Sequence, residues 1–127
     1  MELDGAYLPA AVAIVSDISD MLQYCQLHMK EEILYLAATY ERLAEIVNVP
    51  ATYESMGICA DAMGMGWIID DKNKIYWHNG GTSEFNSYLG FDKERQIGVV
   101  ILSNVGPNYR IPATVMGVKL MRDLQRE

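Results

Sequence analysis

Residues 66–103 break into four short β-favouring runs, 66–69, 75–78, 85–91 and 97–103, with only a few turn residues between successive runs. A parallel pair needs a crossover of roughly a dozen residues or more, so connections this short restrict the segment to an antiparallel meander. The clearest turns are Asp70-Asp71-Lys72-Asn73 and Asp92-Lys93-Glu94-Arg95-Gln96, rich in the side chains that stabilise tight reversals. The run Val99-Val100-Ile101-Leu102 is apolar on both faces of its strand. That pattern predicts a central position in the sheet, with helices covering each side.

The flanking sequence supplies those helices. Ser16 can cap a helix that carries Asp17 and Asp20 in its first turn and Ile18, Met21, Leu22 and Cys25 on one face, ending near Met29. The same spacing recurs at Ile33, Leu36, Ala37, Tyr40, Leu43, Ala44 and Val47 until Asn48 and Pro50 interrupt it, which predicts a second one-sided helix. Residues 51–63 carry no sustained period and read as a loop. A last helix begins after Pro112, with Met116, Leu120, Met121 and Leu124 on one stripe. The sum is an α+β domain spanning 1–127, mainly helical over 1–62, antiparallel strands over 63–104 and a terminal helix over 112–125. At 127 residues, half of them hydrophobic, such a unit buries about two thirds of its unfolded surface and needs no disulfide.

Charge narrows the functional classes. Ten Lys and Arg against 17 Asp and Glu give a formal net charge of -7, which repels phosphate backbones and anionic headgroups and argues against nucleic-acid and membrane-surface roles. No uncharged run is long enough to cross a bilayer as a helix, and the start shows no secretory leader pattern. Cys25 and Cys59 fit no metal-ligand spacing, and Cys25 sits on an apolar helical face as a small core residue. Asp70-Asp71 reads as a turn rather than a cation site, and neither a metal nor a cofactor is expected. His28 falls at the polar end of the first helix, where a cation is favourable.

One cluster is suited to a ligand: His78-Asn79-Gly80-Gly81-Thr82-Ser83, at the end of a strand. Paired glycines let a substrate approach the backbone and its N–H groups, while the neighbouring side chains supply polar contacts. The same residues also suit a plain strand-to-strand turn. A Ser83, His78 and Asp92 set can be drawn on paper, but five residues across a turn do not establish triad geometry. Trp67 and Trp77 read as core or sheet-face residues, with a tryptophan beside His78 able to wall a cleft.

Taken in order, Gly64-Met65-Gly66-Trp67, His78-Asn79-Gly80-Gly81-Thr82, Tyr88-Leu89-Gly90-Phe91-Asp92 and Ile97-Gly98-Val99-Val100-Ile101-Leu102-Ser103-Asn104 resemble the C-terminal part of serine β-lactamase-like proteins, the class C β-lactamase and penicillin-binding-protein superfamily. Pro9-Ala10-Ala11 and Ser16-Asp17-Ile18-Ser19-Asp20-Met21 resemble the loop and helix that precede the family's variable helical region. The family uses a Ser-x-x-Lys nucleophile, a Tyr-x-Asn base and a third motif, Lys-Thr-Gly or His-Thr/Asn-Gly-Gly, on a strand beside the site. By this resemblance His78 takes the basic position of the third motif and Gly81 offers a backbone N–H to an oxyanion hole. Asn79, Gly80, Thr82 and Ser83 would then contact substrate.

The first two motifs are not in this sequence. None of Ser16, Ser19, Ser55, Ser83, Ser87 and Ser103 has a lysine three positions on, and no tyrosine has an asparagine two positions on. Ser83-Glu84 stands where the family often has Gly-Gly, and Glu84 puts a negative charge near the edge that would meet a substrate carboxylate. The resemblance therefore implies the C-terminal portion of a hydrolase that transfers acyl groups of amides, esters or β-lactams, inactive alone, from a periplasmic or extracellular parent. Its partner would be the missing N-terminal part of the same protein or another copy of the chain. The alternative is a stand-alone, non-catalytic module that binds a small amide, ester or peptide ligand or a partner chain and can homo-oligomerise through an exposed strand edge.

Overall fold

The computed structural model describes residues 14–30, 33–106 and 112–127, so Pro9-Ala10-Ala11 lie outside the described residues. The elements in chain order are α1 (Ile18–Lys30), α2 (Leu34–Ala37) running into a 3-10 turn (Ala38–Tyr40), β1 (Ala44–Glu45), α3 (Ala51–Ser55), β2 (Ala62–Met63), β3 (Ile68–Asp70), β4 (Ile75–Gly81), β5 (Asn86–Asp92), β6 (Ile97–Ser103) and α4 (Ala113–Gln125). The strands form one six-stranded antiparallel sheet in the order β1-β2-β3-β4-β5-β6. The α+β class and the meander are as the turn spacing requires.

Helix α1 begins one residue later than the sequence suggests. The carboxylate of Asp17 accepts the backbone N–H of Asp20 at 3.0 Å, and the Asp17 carbonyl accepts that of Met21 at 3.1 Å, so Asp17 and not Ser16 is the cap. The second predicted helix stops at Tyr40. The Thr39 carbonyl accepts the Met65 N–H at 2.6 Å, and the Thr39 hydroxyl accepts the Trp67 indole N–H at 3.1 Å. Those tertiary bonds hold the chain in a 3-10 turn, after which Ala44 and Glu45 pair with Met63 and Ala62 as an edge strand. Leu43 and Val47, which helical spacing would bury, are 63% and 83% exposed. The 51–63 segment likewise holds a short helix and a strand rather than a plain loop.

Strand β6 is the last in the sheet among the described residues rather than a central one. Helix α1 packs on one face of β5 and β6 and α4 on the other, which explains the doubly apolar run without a central position. An apolar pattern reports which faces are covered, and carries no information on which edges are paired.

Glycines set how closely the two helices approach. A Cβ on Gly98 of β6 would collide with the Cys25 sulfur of α1, and one on Gly117 of α4 would overlap the Tyr88 ring. Tyr88, Trp77, Ile75, Val99, Val118 and Met121 build the core on the α4 side. Cys25, Tyr40, Trp67, Leu89 and Phe91 build the other. Both cysteines are free, and burial pushes the Cys25 thiol up to about 11, an inert core group.

His28 lies within the α1-side core instead of at a solvated helix end. It is fully buried, with rings of Tyr24, Trp67 and Phe91 at centroid distances of 4.7, 4.9 and 5.5 Å, and neither ring nitrogen has a hydrogen-bond partner. The helix turn carries it inward with Cys25, three residues earlier.

Two predictions follow from this packing. Replacing Gly117→Ala forces a methyl into the Tyr88 ring and should cost about 1–3 kcal/mol, read by chemical denaturation. Desolvation lowers the His28 pKa from its usual 6.5, so the unfolded chain binds the proton first as pH falls. The His28 contribution to stability is complete above pH 6.5 and is lost as pH falls from there toward the lowered native value, with a slope of at most one proton. His28→Phe should remove that slope from the dependence of denaturation midpoint on pH.

Candidate active site

Strand β4 is paired on both sides only over its first half. Its register with β3 ends at Ile68↔Trp77, whereas its register with β5 continues from Tyr76↔Phe91 through His78↔Leu89 to Gly81↔Asn86. From His78 to Gly81 the strand therefore has β5 on one side and, among the described residues, no strand on the other.

The hairpin fixes which backbone groups face that free edge. The Thr82 N–H donates to the Phe85 carbonyl at 2.9 Å across the tight Ser83-Glu84 turn. Successive N–H groups of a strand point to alternate sides, so those of Asn79 and Gly81 point away from β5 into the free edge. The Thr82 hydroxyl accepts the N–H groups of Phe85 at 3.2 Å and Glu84 at 3.4 Å, which ties that side chain to the turn. Ser83 and Glu84 are exposed at the hairpin tip.

Side chains alternate too, so the pleat divides the sequence-predicted cluster. His78 and Gly80 face the α1 side with Leu89 and Ser87 opposite them, and a Cβ on Gly80 would press the Ser87 hydroxyl at 3.1 Å. Asn79 and Gly81 face the α4 side. There the Asn79 amide donates to the Thr114 hydroxyl of α4 at 2.9 Å. Buried Asn86 accepts the Ala113 N–H with its side-chain oxygen and donates to the Val105 carbonyl at 2.6 Å, fixing the start of α4 and the loop after β6.

A groove flanks the free edge on each face. The α1-side groove, about 350 Å³, is lined by Met21, Tyr24, Met65, Trp67, Leu102 and the exposed His78, among others. The α4-side groove, about 320 Å³, brings Tyr53 and Met56 beside Gly80 and Gly81. A further cavity, about 620 Å³, lies by the turns at the other end of β4, where Lys74 pairs with Glu94 at 3.4 Å; it holds none of the predicted site residues.

Asp92 does not join His78. It is fully buried on the α4 side, where its carboxylate accepts Arg95 at 2.9 Å and Gln125 at 2.7 Å. Backbone and side-chain hydrogen bonds from Arg95 and Gln125 outweigh the desolvation that opposes them and hold its pKa below the usual carboxylate value. The Ser83, His78 and Asp92 set is thereby ruled out. Asp70 also serves its turn, accepting the Asn73 N–H at 2.9 Å, and no group of three or more potential metal-binding side chains occurs among the described residues. Trp77 and Trp67 are both core, and Trp67 also lines the groove beside His78. No local pattern marks Thr114, Tyr24 or Met65 as site residues, because only tertiary packing brings them to β4.

The chain matches the Beta-lactamase family model over residues 1–114. It belongs to the Beta-lactamase family. A search of curated proteins finds no match. The family match and the antiparallel sheet with packed helices together identify a relative of the serine β-lactamase-like hydrolases with part of that fold.

Removing the tie between β4 and α4 tests how much of this edge is scaffold. Thr114→Val leaves the Asn79 amide without its partner and should lower stability by about 1 kcal/mol in denaturant titration, with the His78 resonances in NMR spectra unmoved.

Proposed function

We propose that the chain is the C-terminal portion of a serine hydrolase of the class C β-lactamase and penicillin-binding-protein branch, contributing one wall of an acyl-transfer site and inactive alone. The free edge of β4 carries this reading: the segment that matches the family's third motif leaves the Gly81 N–H unclaimed by β5 and pointing outward. In the complete site a serine oxygen attacks the carbonyl carbon of an amide, ester or β-lactam. The Gly81 N–H donates to the resulting oxyanion, a contribution of about 3 kcal/mol to barrier lowering when the donor is fixed in advance. Collapse expels the leaving group, which takes up a proton, and water then cleaves the serine ester. His78 lies three residues before Gly81 on the same strand, where the resemblance puts it near the carbonyl or leaving-group oxygen. Asn79, Gly80, Thr82 and Ser83 border the substrate, Asn79 chiefly through its backbone because its amide is engaged by Thr114.

The serine and tyrosine of the other motifs come from the N-terminal part of the same protein, because a second copy of these 127 residues carries neither motif. Strand β6 supports such a partner, since it offers seven residues without charge or proline at the end of the sheet. No described helix is long and apolar enough to cross a membrane.

The test is a reading of the source DNA upstream of the Met1 codon for Ser-x-x-Lys and Tyr-x-Asn, followed by turnover measurements on the full-length product with an activated ester and a β-lactam. His78→Ala there should lower kcat by about 100-fold, the usual scale for a lost proton-transfer or polarising group. Unchanged turnover would remove His78 from the chemistry.

A further inference from the structure

The groove on the α1 side of β4 differs in character from the polar strand end that the sequence advertises. Its walls are Tyr24 and Met21 of α1, Met65 and Trp67 from the turn before β3, and Leu102 of β6, with His78 at the rim. Met65 is 61% exposed and Leu102 45% exposed, so apolar surface is held open to solvent beside the free edge. Among the described residues, no lysine or arginine lines either groove flanking that edge. Asp20 adjoins Met21 of the groove wall and Glu84 sits at the hairpin tip, in a protein of formal net charge -7.

We propose that this groove selects an uncharged, apolar acyl group, so that the substrates of the site are neutral alkyl or aryl amides and esters rather than molecules bearing a carboxylate. The proposal deepens the acyl-transfer reading and rests on it for the word substrate, while the binding preference stands on the groove itself. Transfer of a methylene chain from water onto Met65, Trp67 and Leu102 is favourable in proportion to the area covered. A carboxylate brought to the same place loses hydration, finds no guanidinium or ammonium among the lining side chains, and is repelled by Glu84 and the net charge. Compact sites of this size commonly combine apolar walls with a few polar groups that orient the ligand. Here the polar set is His78 and the outward N–H of Asn79, which suit a neutral carbonyl oxygen.

The two tryptophans provide an internal readout. Trp67 lines the groove, and Trp77 is buried on the opposite face of the sheet with its indole N–H bonded to the Cys59 carbonyl at 3.0 Å. Hexanamide and hexanoate, equal in chain length and different in charge, are titrated into the 127-residue protein while both indole N–H resonances are followed by NMR. Hexanamide should shift the Trp67 resonance saturably and leave Trp77 in place, and hexanoate should bind at least tenfold more weakly at pH 7.5. Met65→Glu, at an exposed position that the core does not use, should weaken hexanamide at least fivefold.

Absence of a saturable Trp67 shift with hexanamide, equal binding of the two ligands, or undiminished binding by the Met65→Glu variant overturns the proposal. The measurement needs no nucleophile, so its failure is separable from failure of the acyl-transfer reading. If hexanamide does not bind while His78→Ala still disables the full-length enzyme, only the substrate class falls. If hexanamide binds and His78→Ala is silent, the groove stands and the catalytic role of His78 falls.

Discussion

The ladder between β4 and β5, running from Tyr76↔Phe91 to Gly81↔Asn86, determines both where each site side chain points and which backbone groups remain free. With a period of two, a shift of one residue would carry His78 to the α4 face and turn the Gly81 N–H into β5. Packing makes that slip costly. Tyr88 would leave the space that Gly117 provides for it, and Phe91 would leave the aromatic cluster around His28. The geometry of the edge is therefore specified by large residues of β5, Tyr88 and Phe91, packed on both faces of the sheet.

Both helices reach the sheet through glycine, and the two contacts serve different purposes. At Gly98 the missing side chain admits Cys25 and Met29, which draws the C-terminal half of α1 onto β6. Its other end then stands over Val100 and Leu102, where Met21 and Tyr24 form part of the groove. At Gly117 the missing side chain receives the Tyr88 ring, which stacks on Trp77 at 6.0 Å. That contact closes the core around Tyr88 and Trp77, and the α4-side groove lies beyond it, between Gly80, Gly81 and Tyr53.

Much of this was legible where local chemistry decides structure. Short connections rich in Asp, Asn and Lys mark the meander and Pro112 marks the start of α4, although Met116 and Leu120 of its expected stripe are exposed and Gly117, Val118 and Met121 face the core. Local pattern failed where long-range hydrogen bonds compete with it. Leu43, Ala44 and Val47 continue a helical period, yet Ala44 and Glu45 gain strand partners in β2 and the helix ends at Tyr40. His28 was misread for a related reason, since a polar side chain at a helix end gives no sign that Tyr24, Trp67 and Phe91 surround it. At the site, His78-Asn79-Gly80-Gly81 was visible as a cluster. Its division between two faces follows from strand period alone, but the tie of Asn79 to Thr114 spans 35 residues and cannot be read from spacing.

The arrangement of free edges bears on how such a chain would work with a partner. Among the described residues, the unpaired part of β4 lies on the β3 side of the sheet, whereas the unpaired edge of β6 lies on the far side of β5. Two strand spacings, about 10 Å, separate β4 from β6. A strand added to β6 thus extends the sheet without covering the Gly81 N–H. The two edges are therefore independent of each other, with β5 as the rigid element between them. Residues 86–92 of that strand are nearly all buried, which is the property needed to keep a fixed distance between the two.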